Sequence, residues 1–477
     1  MYSTFHGLEI GKRSILAQQT ALSTTGHNIA NANTVGYTRQ DAVLQATNPL
    51  AYPSKNNGTA PMTMGTGVEV TELKRIRDGF LDQQYRKEQQ KAGYWEATAS
   101  ALSNIESVFN EPSDFGMNST LDRFWQSFQE LAKNPDTLAV RTVVVANGKA
   151  VADSFQSITA GIEQIEKDLQ TQLNGKVSDI NSSAKEIADL NKQIALMTAN
   201  GYQPNDLLDK RDLLLDKLSK MVNIQVATDQ TGMVSVNVDG VALVNGKDSF
   251  ELSVDTQTGE AAISGNQVDL EGGEIKGLVD SLIGASPNSI SSLRNNLDSL
   301  AKTIAEQMNA IQAGDDARNL DDIKAGTQLE KVLFFVDKDD PTQPPKDAAS
   351  MIVNPKLVDF PAKLAAATSN SIGDGSNAAA MGNLQFLKVD IGGNNTTIGD
   401  FYQMVIGNLG IGVNEAERYR DNANMVSQQV DNRRLSVSGV SIDEEMTNMV
   451  RFQQAYNAAA KYVSAVNDML DTLINRM

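Results

Sequence analysis

Cysteine is absent from the 477 residues, so disulfides, thiolate metal sites and thiol nucleophiles are all excluded. Histidine is almost as scarce. His6 and His27 are the only two, and neither an H-E-x-x-H zinc site nor a catalytic triad can be built around them; both are expected to serve surface or local helix roles. Positive charge is also in short supply, with 41 Lys+Arg against 59 Asp+Glu and a net charge of -18. Without a dense basic run there is no field to hold a phosphate backbone or an anionic bilayer, so nucleic acid and membrane are not expected as partners. No stretch approaches the roughly 18 apolar residues of a membrane span. The N-terminal region likewise lacks the apolar run of roughly 7 to 15 residues that marks a cleaved secretory signal. If the chain is exported, another route must carry it.

Motifs for nucleotide, cofactor or metal chemistry fail at identifiable positions. Gly11-Lys12, Gly148-Lys149, Gly175-Lys176 and Gly246-Lys247 all lack the Ser/Thr that completes a phosphate loop. Gly373-Asp374-Gly375-Ser376-Asn377-Ala378 fits G-x-G-x-x-A, but no β-rich segment precedes it, so it reads as a loop before a short helix. Asp337, Asp339 and Asp340 begin like a calcium loop, yet Pro341 follows and the Gly and distal Glu of that spacing are missing. No catalytic residue, cofactor or metal is therefore expected, and the chain is read as a non-enzyme.

What the sequence does contain is helical periodicity. From Phe155 the apolar positions Ile158, Ile162, Ile165, Leu169, Leu173, Val177, Ile180, Ala184, Ile187, Leu190, Ile194 and Met197 alternate steps of three and four. One face sustained for about 45 residues makes a rod of roughly 65 to 70 Å. Asn200-Gly201 and Pro204 supply its stop. Helices around Tyr94 to Phe109, Leu121 to Leu131 and Ile290 to Ile311 are its candidate partners, the last with Leu293, Leu297, Leu300, Ile304 and Met308 on one stripe. Between Met221 and Leu270 the period falls to two, as in Val234–Val238 and Phe250–Val254. Asp239-Gly240, Asn245-Gly246, Thr258-Gly259 and Gly265-Asn266 punctuate this β-meander, which is expected to project sideways from the bundle. The acidic, Pro-containing stretch after Ala313 reads as loop or as an extension of that β-module. The expected fold class is mainly α with a small inserted β-module: an elongated helical bundle whose N- and C-terminal helices form a coiled-coil-like assembly region. The expected domains are a terminal helical assembly region at 1–50 and 436–477, a helical bundle at 51–220, 276–330 and 370–435, and a β-rich insert at 221–275, alone or with 331–369.

The two ends carry a second pattern. Met449, Tyr456, Val463, Leu470 and Met477 recur every seven residues, with Phe452, Ala459, Val466 and Leu473 three further on, an a/d seam. Ser441 and Glu444 have the spacing of a capping box, and Asp443 and Glu445 add negative charge at the helix start. Leu8, Ile15, Leu22 and Ile29 repeat similarly, although the matching d-type positions Gly11, Gln18 and Thr25 are weak. Such stripes can pair within one chain or complete their burial against neighbouring molecules, and the periodicity leaves both open.

The segment Gly26–Arg39, with Asn28, Asn31, Asn33, Gly36 and Tyr37, is a helix stop in which Asn tolerates left-handed geometry, Gly36 can take φ > 0 and Tyr37 can pack back on the helix end. It resembles the N-terminal signature of the bacterial flagellar rod, hook and hook-associated proteins. Val437–Met446, containing Ser438, Gly439, Asp443 and Glu444, followed by Arg451–Tyr456 and Met469–Met477, resembles the matching C-terminal signature. Glu111-Pro112-Ser113-Asp114, Leu208–Leu214 and Arg433–Gly439 resemble the hook-associated branch, and between Phe335 and Ile352 larger members carry an extra outer domain. The resemblance implies a structural subunit joining hook to filament in the extracellular flagellum, exported unfolded by the flagellar type III apparatus. It implies self-association in a ring through terminal helices that are disordered in the monomer. It further implies contact with the hook protein and with the next hook-associated protein, and an export chaperone on the C-terminal helix. The assembly interface would comprise Leu8, Ile15, Leu22, Ile29, Met449, Phe452, Tyr456, Val463, Val466, Leu470 and Leu473. The alternatives are a hook or rod subunit, which the long helix and short β-insert disfavour, and a secreted enzyme on a flagellar frame, which the missing catalytic constellations disfavour. A free coiled-coil adhesin has no reason to carry both end motifs.

Overall fold

The computed structural model describes residues 5–51, 63–229, 231–326 and 330–475. Helices dominate: α1 His6–Ala30, α2 Gly79–Phe109, α3 Met117–Lys133, α4 Leu138–Ala199, α5 Asn205–Met221, α6 Gly273–Ile283 and α7 Ile290–Gln312. The short α8 Leu320–Ala325, α9 Pro355–Asp359 and α10 Ser376–Asn383 precede two long helices, α11 Ile398–Ser438 and α12 Ile442–Asn475.

The axis of the molecule is α4, 62 residues long and so about 93 Å from end to end. It starts well before Phe155. Between Leu138 and Ala152 its apolar residues are too dense to read as one face, because α3 covers one side while the Phe334-Phe335 corner covers another: a Cβ on Gly148 would lie 2.7 Å from the Phe334 ring. Further along, Ile158, Ile162, Leu169, Leu173, Ile180, Ala184, Ile187, Leu190 and Ile194 are buried as the periodicity requires, with Ile165 and Val177 half-buried. The helix stops at Asn200, whose side chain donates to the Leu196 carbonyl at 2.7 Å, and Gly201 turns with φ +80°. Helices α2 and α11 pack along one another, α6 lies against α2 and α4, and α7 buries Leu293, Leu297, Leu300, Ile304 and Met308. The 41-residue α11 was not singled out by periodicity.

The β-module comprises two antiparallel sheets, Gln225–Thr228, Val234–Val238, Val241–Asn245 and Asp248–Ser249 in one, and Leu252–Val254, Ala261–Ile263 and Asn266–Val268 in the other. Val234, Val236 and Val238 point inward, and Asp239 (φ +48°) with Gly240 (φ +76°) forms the primed turn that matches strand twist. Two local expectations need correcting. The Phe250–Val254 run is not one strand, because the chain crosses between the sheets at Phe250-Glu251. The last turn sits on Ser264 and Gly265, both with positive φ, and Asn266 already pairs with Ile263. Nor does the module stand off the bundle. Asn181 exchanges hydrogen bonds with the backbone of Leu252, and Asn191 donates to the carbonyls of Val234 and Gly246, so both sheets lie along α4.

The 331–369 stretch packs with helices rather than extending the β-module. Its hairpin, Phe335–Asp337 paired with Met351–Val353, is held by Asn309 of α7, which bonds the backbone of Phe334 and Phe335, and by Gln156 of α4, which donates to the Met351 carbonyl. Phe124, Phe128, Phe334 and Phe335 form one aromatic cluster there. A further departure lies near the N-terminus, where Gln40–Ala46 and Val68–Arg75 form an antiparallel ribbon in place of helix.

The main core runs through α2 to α7, α10, α11 and the β-module, and among the described residues takes none from α1 or α12. These two helices pair with each other and join a small separate cluster of Ala21, Ala42 and Phe452, flanked by Leu22, Val70 and Leu73.

Candidate assembly site at the joined chain ends

Helices α1 and α12 form a two-helix rod. Among the described residues of α12 the buried apolar ones are Phe452, Ala459, Val466 and Leu470; on α1 the buried residues are Gly11, Ala17, Ala21, Thr24, Thr25 and Asn28. Of the positions on α1 that looked weak, Gly11 and Thr25 are buried, and Gly11 faces α12 directly. Small side chains let the two backbones approach, and a Cβ on Gly11 would fall 2.4 Å from Val463 Cγ2. Gln18 is half-buried. The larger Leu8, Ile15, Leu22 and Ile29 are only half-buried, as are Met449 and Val463, while Tyr456 is 37% exposed. Leu473 lies within α12, and Met477 falls outside the described residues. Around this seam Leu16, Ile442, Met446, Val450, Tyr462 and Met469 remain exposed, a considerable apolar surface for one rod.

Where the rod meets the body, the motif residues come together. Asn28 is buried and uses its whole carboxamide. Its nitrogen donates to the Gln40 carbonyl at 2.8 Å and to Glu445 Oε2 at 3.1 Å, and its oxygen accepts from the Tyr37 hydroxyl at 2.8 Å and the Gln40 amide at 3.0 Å. Gly36 has φ +83° and sits against Leu213, after which Tyr37 turns edge-on to His27 with ring centroids 5.5 Å apart. Burial, with Asp206, Asp209 and Glu445 nearby, pushes the Tyr37 hydroxyl well above the ordinary phenol range, so it stays a donor. Asn31 makes no use of the left-handed geometry that Asn tolerates; at φ -102° it caps α1 by donating to the His27 carbonyl, and Asn33 is exposed.

Ser438 offers its carbonyl to the Arg39 amide at 2.9 Å. A Cβ on Gly439 would lie 2.5 Å from the Leu435 carbonyl oxygen. Asp443 is exposed; the Glu444 amide donates to Ser441 Oγ over a long 3.5 Å, and the Glu444 carboxylate accepts from Arg39 at 2.9 Å. Glu445, read from the sequence only as negative charge at the helix start, is 2% exposed and accepts from Arg39 Nε at 2.8 Å as well as from Asn28, a role that periodicity and motif did not reveal.

Behind this clamp lies a ladder of arginines and carboxylates, also unforeseen. Asp209 accepts from the Thr38 amide and from Arg75; Asp212 accepts from Arg75 and Arg77; Arg77 also holds Asp82. Asp216 receives Arg86 and Arg434, and Arg434 stacks over Tyr85 at 3.9 Å while reaching Asp431. Burial would raise the Asp212 carboxyl, but Arg77, Arg75 and Arg86 outweigh it and hold the group below its usual range. The signal was present in outline: Asp209, Asp212 and Asp216 share one face of α5, and Arg75 and Arg77 alternate at a strand end. Arg211 points away, to Asn191 and the Gly232 carbonyl, tying α5 to α4. The arrangement therefore orients elements rather than presenting a reactive group.

The end segments match models of flagellar axial proteins: residues 13–38 the Flagella basal body rod protein, and residues 431–477 the Flagellar basal body rod FlgEFG protein C-terminal. Both ends of the chain thus carry segments of the kind found in flagellar basal body rod proteins. Residues 102–325 match the Flagellar hook-associated protein FlgK helical domain. Over 510 aligned residues the chain is 37% identical to Flagellar hook-associated protein 1 of Bacillus subtilis (strain 168), covering 100% of this chain and 99% of that one. With the Salmonella typhimurium protein of the same name identity is 25%, covering 96% and 97%. The solved structure of the flagellar hook junction protein FlgK from Burkholderia pseudomallei superimposes with a TM-score of 0.61 at 16% identity, over 74% of this chain and 100% of that one. The chain belongs to the flagellar hook-associated protein 1 family. Its relatives are structural flagellar proteins, and it is a flagellar component. No helix among the described residues is long and apolar enough to cross a membrane.

Proposed function

We propose that this protein is the subunit that joins hook to filament. It is exported by the flagellar type III apparatus, assembles as a ring through the α1–α12 rod in the extracellular flagellum, and catalyses no reaction. The hook protein lies on one side of the ring and the next hook-associated protein on the other; before export, a chaperone covers the C-terminal helix. The observation that carries this reading is the rod itself, whose exposed Leu16, Ile442, Met446, Val450, Tyr462 and Met469 flank a seam in which Leu8, Ile15, Leu22, Ile29, Met449 and Val463 are only half-covered. At about 1.5 to 3 kcal/mol for each large apolar side chain fully buried, neighbouring rods would recover a substantial stabilisation. Deleting the gene tests the reading. Cells should keep hooks, lose filaments and leak filament protein into the medium; filaments of normal length on the deleted strain would refute it.

A further inference from the structure

We infer that the outer face of the Gln40–Ala46 and Val68–Arg75 ribbon is the docking surface for α12 of the neighbouring copy, with Arg451 and Lys461 of one chain meeting Glu69, Glu72 and Asp41 of the next. The inference rests on the ring proposed above and names its contact. It concerns assembled copies and asks nothing of the free monomer.

Charge singles out the middle of the rod. In a protein of net charge -18, the stretch of α12 from Met446 to Asn467 holds no carboxylate and two cations, Arg451 and Lys461. Both are exposed. Neither has a carboxylate three or four residues away on its own helix, the reach of an intrahelical pair. Among the described residues neither makes an ion pair, and Arg451 lies only over the adjacent Phe452 ring at 4.8 Å. The other helix of the rod does not neutralise them. It runs antiparallel, with Gly11 against Val463 and Asn28 against Glu445, so the level of Lys461 holds Lys12 and Arg13, and the one carboxylate nearby, Glu9, is taken by Arg13. A basic belt is left around the rod of an acidic protein, and the surface that fits it is acidic.

The ribbon supplies such a surface at the same height. Residues directly opposite in its ladder share a face, so Ala42–Leu73 and Leu44–Val70 turn one way, toward the cluster with Ala21 of α1, while Asp41–Lys74, Val43–Glu72 and Gln45–Glu69 turn the other. Asp41, Glu69 and Glu72 are exposed, with Lys74 the one cation among them. Glu72 accepts from the Gln203 side chain at 3.4 Å, a neutral donor that leaves its charge standing. A Cβ on Gly67 would lie 3.5 Å from Ile10 and Arg13, and the Gln40 carbonyl meets Asn28; Glu69 is therefore level with the Lys461 end of the belt and Asp41 with the Arg451 end. From Gln45, the partner of Glu69, to Asp41 is about 14 Å of strand, against about 15 Å of helix from Lys461 to Arg451. The ribbon is laid along α1, whereas the two cations stand on the solvent side of α12. One subunit thus shows opposite charges on two different faces at one height, the head-to-tail kind of contact from which rings are built. Val450, exposed beside Arg451, and Val43, opposite Glu72, give that contact an apolar centre.

The chain has no native cysteine, so a cysteine pair reads the contact directly. Glu69→Cys and Lys461→Cys are placed together in the full-length chain, flagella are detached with hook and junction in place, and a short bis-maleimide is added before immunoblotting for this chain. The paired variant should give a ladder of covalent multimers and each single variant monomer alone, because two different faces meet. Arg451→Cys with Glu72→Cys should behave alike, and replaces the first pair if that one blocks assembly. Chain that is present in the flagella but monomeric in both pairs overturns the inference and leaves the junction role intact. Dimers from a single variant also overturn it, since they require a self-complementary contact, as does a band at the combined mass of this chain and another flagellar protein. Wild-type chain missing from detached flagella removes the junction reading and this contact with it. Charge gives a second arm: Lys461→Glu should cut the number of filamented cells several-fold, and Glu69→Lys or Glu72→Lys in the same chain should recover part of the loss, which a folding defect would not allow. No recovery with either overturns the pairing.

Discussion

At Gly11 a single methyl group decides how closely two helices approach. An alanine there would press on Val463, whose β-branched side chain has few rotamers to retreat into. Overpacking of this kind costs about 1 to 3 kcal/mol. Gly11→Ala should therefore lower the melting of the rod, and Val463→Ala should relieve it in the double variant, read by circular dichroism. An unchanged rod in the single variant would mean that α1 and α12 are farther apart than the structure has them. Arg141 makes a different case. It is 1% exposed and donates to the carbonyls of Pro135 and Leu364; burial pushes its guanidinium down to about 10 despite Asp136 and Asp321. Arg141→Met keeps the apolar stem but orphans those carbonyls, at about 1 to 3 kcal/mol for each buried group left unpaired. Calorimetry should show the body transition falling while the rod's stays put. Residues such as Gly36 and Tyr37 were legible because a turn's chemistry is local. Glu445 was not, because its partner Asn28 stands 417 positions away and nothing local marks it apart from Glu444.

At the scale of elements, legibility followed how a helix is covered. The middle of α4 and all of α7 bury one stripe and could be read from spacing. The first turns of α4 are covered from several sides and lose that period, and α1 buries small residues while Leu8, Ile15, Leu22 and Ile29, which a ranking by apolar bulk selects, stay half-buried. The Val68–Arg75 strand has only a half-buried alternation and was absorbed into the helical bundle. The carboxylate face of α5 gives an acid prediction. Because Asp212 titrates lower when folded than the ordinary value of about 3.9, the stability it contributes is full above that value and is lost as pH falls through the lower, folded one. Urea unfolding should thus be insensitive to this group from neutral pH to about pH 4 and weaken only in stronger acid. Asp212→Asn should flatten the acid limb while costing about 3 to 5 kcal/mol at neutral pH, since Arg75, Arg77 and Arg86 would be left undercompensated. An unchanged midpoint at pH 7 would contradict the ladder.

For the whole molecule, the division between two clusters of buried side chains governs how it comes apart. The main core is continuous from Ala99 to Ala416 and owes nothing to the rod. The rod has a thin seam, half-covered stripes and a polar clamp, and Arg39 and Glu444 are 25% and 62% exposed, open to screening by salt. Two cooperative units joined by few apolar contacts should not melt as one. Calorimetry of the full chain should therefore resolve a lower transition belonging to α1 and α12 and an upper one belonging to the body. Leu470→Asp introduces a carboxylate on the buried row of α12, where an unpaired charge costs several kcal/mol. It should abolish the lower transition and leave the upper one within error of wild type. If the rod instead shared the body's core, both transitions would merge and Leu470→Asp would pull the whole molecule down. That result would place the terminal helices among the walls of the monomer, and leave assembly to be built from some other surface.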